Sequence, residues 1–174
     1  MKTLQQAMHS AMRAVLILAS VTLWALPKVT IAQEASPVVS VKRLSMAMSA
    51  KIAAAAVAAC GKKGIQVTAT VVDRNGEVQV MMRDTIAAPL SIEVSRRKAY
   101  TAANFGVSTA ELLDRSQGGL AQVDSLMFSR GGLPIKAAGL MLGAVGVSGA
   151  PSGATDEECA QAGIDAVIDD LEMM

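Results

Sequence analysis

Apolar and polar positions alternate along this chain with two periods, and the changes of period mark its elements. Leu44, Met48, Ile52, Ala55 and Ala59 recur at helical spacing, and the run 53–59 is alanine apart from Val57. This predicts a helix over Ser45–Lys63, brought to an end by Gly61 and Gly64. From Ile65 to Met82 the period falls to two. Val67, Ala69 and Val71 alternate with Thr68 and Thr70; Val78, Val80 and Met82 alternate with Glu77, Gln79 and Met81. Asn75-Gly76 stands between the two runs and predicts a β-hairpin with a type I′ turn, because both residues tolerate positive φ.

Arg83–Pro89 reads as a loop, and Leu90–Phe105 as a second helix with Glu93 four residues before Arg97 and Gly106 as its cap. Ser108 and Glu111 form a capping-box pattern for a short helix through Asp114. After a loop over Ser116–Asp124, strand character returns at Leu126–Ser129, Leu133–Lys136 and Leu140–Ser148. Gly143 and Gly146 lie inside the last of these and mark a bulge or the close approach of another backbone. Thr155 and Glu158 suggest a second capping box, opening a final helix with Ala160, Ile164, Val167, Ile168 and Leu171 on one face. Hairpins dominate and no βαβ repeat occurs. The expected class is therefore α+β: a mainly antiparallel sheet of about five strands with helices packed on it.

The start of the chain has a different character. Lys2 and Arg13 precede an uncharged run, Ala14–Leu26; Pro27 breaks it, and Thr30-Ile31-Ala32 offers small residues before a cut. This predicts a secretory signal over 1–32, cleaved after Ala32, with export to the periplasm or beyond. The 13-residue run is shorter than the roughly 20 residues a spanning helix needs. Residues 33–43 form a polar lead-in, and 44–174 the folded domain.

Cleavage changes the chemistry available. Residues 1–32 hold three of the 16 basic residues and none of the 15 acidic ones, so the net charge moves from +1 to about −2. They also hold His9 and Trp24, the only residues of their kind. The mature chain then has three rings: Tyr100, Phe105 and Phe128. Without His, neither a Ser-His-Asp nor a Cys-His arrangement can be built, and haem held by a proximal His within one chain is excluded. Catalytic zinc sites usually contain His, and two Cys do not make a structural site. Three rings and no basic run give no platform for nucleic acid.

Several residue groups remain as candidates. The loop Gly146–Gly153 precedes a helix, as anion-binding loops do, but it has no Walker spacing and three acids follow it, which favours a tight turn. Asp156, Glu157, Glu158, Asp165, Asp169, Asp170 and Glu172 crowd the last helix; they match no calcium loop and read as a solvated face. Cys60 and Cys159 either form a disulfide, if their helices lie antiparallel, or stay as buried thiols. Met81, Met82, Met127 and Met141 are core fillers or thioether ligands. Tyr100 is the only phenol, and Arg96, Arg97 and Lys98 beside it suit a carboxylate-bearing ligand. For an enzyme acting on a small acid, only Asp73, Arg74, Arg83 and Asp84 near the hairpin ends offer a polar constellation; turn roles explain them more simply.

The segments VTATVVDRNGEVQVMMR, SRRKAYTAANF, SRGGLPI and LGAVGVSGAPSGATDEECAQAGIDA, in this order, resemble the GlcG/HbpS family of haem-binding or haem-degrading proteins over roughly Leu44–Leu171. The resemblance implies a profilin-like α+β fold, homo-oligomers (octamers occur in the family) and, for exported members, a part in haem or iron handling and redox sensing. Haem is the implied cofactor. Some relatives ligate its iron through His, which the mature chain lacks. The ligand would then be Tyr100, a hydroxyl such as Thr101 or Thr109, a Met, a Cys, or a residue of a neighbouring subunit. Arg96, Arg97 or Lys98 would meet the propionates, with the porphyrin on an apolar face between helix and sheet or between subunits. The expected function is an exported haem-binding carrier, scavenger or sensor, with a sensor or transport protein as possible partner. The alternative is a non-haem small-molecule or accessory module of the same fold. No residue is an evident redox catalyst, so haem degradation rests on the resemblance alone.

Overall fold

The structure is a computed structural model that describes residues 37–174. The chain divides into two units, Met1–Ser40 and Val41–Met174. Of the first, residues 37–40 are described; they are exposed and carry neither helix nor strand. The expected leader, 1–32, lies outside the described residues. Among those described, no helix is long and apolar enough to cross a membrane.

The second unit opens with helix α1 (Met46–Gly61), where the Ser45 side chain accepts the Met48 N–H at 3.2 Å. Strands β1 (Thr68–Asp73) and β2 (Val78–Arg83) form the hairpin. Helix α2 (Leu90–Phe105) ends at Gly106, whose φ of 66° is the left-handed cap its position predicts. Two 3-10 segments follow, Thr109–Gln117 and Gly119–Gln122. The Ser108–Glu111 capping box is present with both its bonds. Strands β3 (Gly132–Ala137) and β4 (Leu140–Ser148) complete the sheet, and helices α3 (Gly153–Asp165) and α4 (Ile168–Glu172) close the chain. The sheet order is β2-β1-β4-β3, antiparallel throughout.

The two faces of the sheet are built differently. On one, Ala69 and Val71 of β1 and Leu142, Val145 and Val147 of β4 bury against Ile52, Ala53 and Ala56 of α1 and Ala160 and Ile164 of α3. The Ala-rich stripe lets α1 and α3 touch: a Cβ on Gly163 would stand 2.7 Å from the Ile52 carbonyl oxygen. The helices run antiparallel, and Cys60 and Cys159 form a disulfide with Cα atoms 5.6 Å apart. That resolves the alternative the sequence left open.

On the other face only small side chains separate α2 from the sheet. Val72 and Ala144 meet Ala99, Ala102 and Ala103, and the hydroxyls of Thr68 and Thr70 bond those of Ser91 and Ser95 at 2.7 and 2.8 Å. A Cβ on Gly146 would lie 2.2 Å from the Ser95 carbonyl oxygen, so the helix backbone rests directly on β4. This is the close approach that a glycine inside a strand marks.

Four expectations are corrected. The sheet has four strands, not about five: Leu126–Ser129 forms none, because the Met127 N–H turns inward to the Thr101 hydroxyl at 2.8 Å. The hairpin turn is not type I′. Asn75 keeps negative φ and only Gly76, at φ 89°, is positive. Asp73 Oδ1 accepts the N–H groups of Asn75 and Glu77, which favours a type I turn closed by a glycine bulge. The cap of α3 is Ser152, three residues earlier than Thr155, whose own N–H donates to Ser152 at 3.1 Å. The final helix is also broken around Ala166–Val167 into two pieces.

Candidate functional site

The motifs that carry the resemblance converge on α2. Lys98 points from its buried side toward the loop that opens α3. Its Nζ donates to Asp156 Oδ2 at 2.7 Å and to the Val147 carbonyl at 3.0 Å, and both side chains are almost fully buried. Asp156 Oδ1 in turn accepts the Ala150 N–H at 3.0 Å. Gly131 leaves the room, since a Cβ there would stand 2.9 Å from Lys98 Nζ and 2.7 Å from Asp156 Cβ. RRKAYTA, SRGGLPI and GVSGAPSGATDEE thus meet around one ion pair. Burial pushes the Asp156 carboxyl above its usual range, against the pull of Lys98.

This arrangement withdraws two candidates. Lys98 is not available to a propionate, because its ammonium is enclosed and paired. The loop Gly146–Gly153 is not an open anion cradle, because an internal carboxylate already takes the Ala150 N–H. Lys98 and Asp156 lie in different motifs, RRKAYTA and GVSGAPSGATDEE. Nothing in their spacing connects them; a lysine inside an otherwise small-residue helix face was the only available signal.

The outer side of α2 holds Arg96, Arg97 and Tyr100. Glu93 draws both guanidiniums together: Arg96 Nη2 and Arg97 Nε lie 2.7 and 2.8 Å from its Oε1. The Arg96 hydrogen bond comes first among the causes that lower the Glu93 pKa to about 2. Arg96 is held charged in return, with Tyr100 contributing electrostatically. The half-buried Tyr100 ring packs over the hairpin turn; a Cβ on Gly76 would stand 2.6 Å from it. Its hydroxyl has no hydrogen-bond partner among the described residues.

Thr101 and Thr109 stand differently. Both are fully buried. The Thr101 hydroxyl donates to the Arg97 carbonyl and accepts the Met127 N–H, both at 2.8 Å. The Thr109 hydroxyl accepts the Gly132 N–H at 3.0 Å and donates to the Gly132 carbonyl at 3.4 Å. They fasten the segment after α2 and the start of β3. Of the expected oxygen donors, Tyr100 alone has a hydroxyl without a hydrogen-bond partner among the described residues, and it interacts electrostatically with Arg96.

The polar constellation considered for an enzyme is not brought together. Asp73 pairs with Arg43 at 2.8 Å at the turn end of the hairpin, whereas Arg83, opposite Thr68 in the register, bonds the Ala87 carbonyl at the other end. A six-residue strand, on the order of 17 Å, separates them. Nor can a porphyrin lie between α2 and the sheet, where the backbones touch at Gly146. Among the described residues, two clefts stand out. One of about 340 Å³ lies between the outer face of α3 and β3, and one of about 250 Å³ lies between the start of α1 and the C-terminal residues.

Comparison with known proteins places this geometry in context. A family model described as "Haem degrading protein HbpS-like" matches residues 44–165. The crystal structure of a double mutant of Streptomyces reticuli HbpS superposes with a TM-score of 0.72 at 36% identity, covering 79% of this chain and 95% of that one. The structure of a PduOC–haem complex superposes with a TM-score of 0.67 at 29% identity, covering 71% and 94%. An uncharacterized 15.0 kDa protein of Citrobacter freundii, from the dhaT-dhaS intergenic region, is 34% identical over 113 residues, 61% of this chain and 80% of its own.

Proposed function

Given that the chain belongs to the HbpS-like family, we propose that it is an exported haem-binding protein that works as a homo-oligomer in haem or iron handling. The observation that carries the reading is Tyr100: a phenol with a free oxygen, on the same helix face as the Arg96–Arg97 pair. A phenolate is an established haem ligand, and paired guanidiniums suit propionates. The residues on α2 therefore fit the group on an outer surface or between copies of the chain. When bound, haem would supply redox-active iron. The chain's own part is to hold it: Tyr100 offers the ligand, Glu93 fixes the two guanidiniums, and Lys98 stays out of reach beneath.

Two further features support the remaining parts of the reading. A buried disulfide suits an oxidising compartment, and therefore export. Among the described residues the outer strands β2 and β3 each leave one edge unpaired, and Ile86 and Leu90 are about 70% exposed, which suits association. Haem binding by the relative crystallised as a PduOC–haem complex supports the choice of ligand.

Haemin titration tests the reading. A saturable Soret band is expected with the purified protein, and Tyr100→Phe should remove the phenolate charge-transfer band and weaken binding. No Soret change at micromolar protein and haemin would refute haem binding. An unchanged spectrum in Tyr100→Phe would refute the ligand. Light scattering on the same samples reads the oligomer, and the mass of the N-terminus in a periplasmic extract reads the cleavage.

A further inference from the structure

The cleft between α3 and β3 is independent of the α2 surface and carries its own chemistry. Ala154, Glu157, Glu158 and Gln161 follow at i, i+3, i+4 and i+7, so one face of α3 forms its wall. Leu133 of the edge strand β3 and Arg130, just before that strand, form the other. Arg130 is held there by its stem: a Cβ on Gly153 would stand 2.9 Å from Arg130 Cβ.

Glu157 Oε2 is shielded from solvent and has no hydrogen-bond partner. The Arg130 guanidinium makes no hydrogen bond or ion pair among the described residues either. Opposite charges thus line one cleft without meeting. Glu158 is already engaged by Lys63, and Gln161 by Asp165 through its amide N–H. A carboxylate with one oxygen hidden from water and no donor on either is unfavourable, and a cationic donor from outside relieves it by reaching the other oxygen, Oε1, which is not shielded. A divalent cation fits poorly: no group of three or more His, Cys, Asp or Glu comes together among the described residues. The volume, about 340 Å³, suits a small organic molecule.

We propose that this cleft binds a zwitterionic small molecule of the α-amino-acid class, its ammonium on Glu157 and its carboxylate on Arg130. Leu133 and Ala154 supply an apolar floor for a small aliphatic side chain. The two charges are the specificity device: a simple amine leaves Arg130 unmatched, and a simple acid leaves Glu157 unmatched.

Saturation-transfer NMR with the proteinogenic L-amino acids, on the whole protein without haem, tests this directly. One or more aliphatic amino acids should give transfer, and calorimetry should then show saturable binding. Glu157→Gln and Arg130→Gln should each weaken that binding by roughly tenfold or more, with circular dichroism unchanged. The decarboxylated and the deaminated analogue of the responding amino acid should each bind weaker by a similar factor. No transfer to any amino acid overturns the proposal. So does loss in only one of the two variants, which would mark a singly charged ligand, or binding that neither variant alters.

Discussion

Lys98 and Asp156, 58 residues apart in sequence, form a buried ion pair of 2.7 Å that ties helix α2 to the first turn of α3. Val147 and Ala150 complete it through their backbone groups. The pair thus joins α2, the end of β4 with the loop after it, and α3.

Removing one partner leaves the other charged and buried. Lys98→Met should lower stability by about 3–5 kcal/mol. In the double variant Lys98→Met with Asp156→Leu the uncompensated charge is gone, and the main remaining loss is the Ala150 N–H partner, about 1–3 kcal/mol. Urea unfolding should therefore rank the double variant above the single one. A Lys98→Met protein as stable as the parent would contradict this account of the pair.

The two perturbed carboxyls should act on stability in opposite directions with pH. Burial raises the Asp156 pKa above 3.8 in the folded state, so the folded state binds that proton more tightly than the unfolded one. Its favourable contribution is complete below about 3.8 and is lost as pH rises through the raised value. Glu93, lowered from 4.5 to about 2, stabilises above 4.5 and loses that contribution as pH falls toward 2. Glu93 is half-exposed, so solvent screening keeps its effect small. In thermal melts from acid to neutral pH, the gap between parent and Asp156→Asn should change as pH rises from about 3.8. The gap between parent and Glu93→Gln should change only at lower pH. Parallel profiles for parent and Asp156→Asn would be inconsistent with a raised carboxyl.

Gly146 carries the contact of α2 with the sheet. Gly146→Ala would place a methyl 2.2 Å from the Ser95 carbonyl oxygen and 2.5 Å from the Ala99 nitrogen, both backbone atoms that cannot yield locally. A loss of about 1–3 kcal/mol or more is expected. Gly61→Ala, where a Cβ meets nothing within 4 Å, is the control. Chemical denaturation of the two side by side separates close packing from a general effect of added methyls.

The Cys60–Cys159 bridge spans 99 residues of sequence. For a loop of that length, loop-closure entropy predicts stabilisation on the order of 4.7 kcal/mol, with native strain reducing it. Cys60→Ser with Cys159→Ser should lower the denaturation midpoint markedly. Intact mass after alkylation, with and without reductant, should show both thiols blocked in the native protein. Free thiols without reductant would remove the bridge from the account.

Most of the elements were legible from local pattern. The helical period over α1, the Glu93–Arg97 spacing in α2, the period of two in the hairpin, and the caps at Gly106 and Ser108 depend on residues close in sequence, and the structure has them at those positions. Of the errors, the missing strand arises where a tertiary bond outcompeted the pattern, and the hairpin turn and the α3 cap where a nearby side chain did. Met127 donates to Thr101 instead of to a strand, and Asp73, also held by Arg43, sets the hairpin turn through its own carboxylate.

The candidate site divides in the same way. Arg96, Arg97 and Tyr100 could be read from one helix, because i, i+3 and i+4 share a face. Thr101 and Thr109 could not be judged, since what occupies a hydroxyl depends on a loop more than twenty residues away. By itself the sequence determined the α+β class, the order of elements, the family and the absence of histidine from residues 33–174. Only the tertiary structure decided that Lys98 is buried against Asp156, that the cysteines meet, and that Arg130 and Glu157 line one cleft. Those relations join residues brought together by packing, and a buried charge finds its partner through the fold rather than through proximity in the chain.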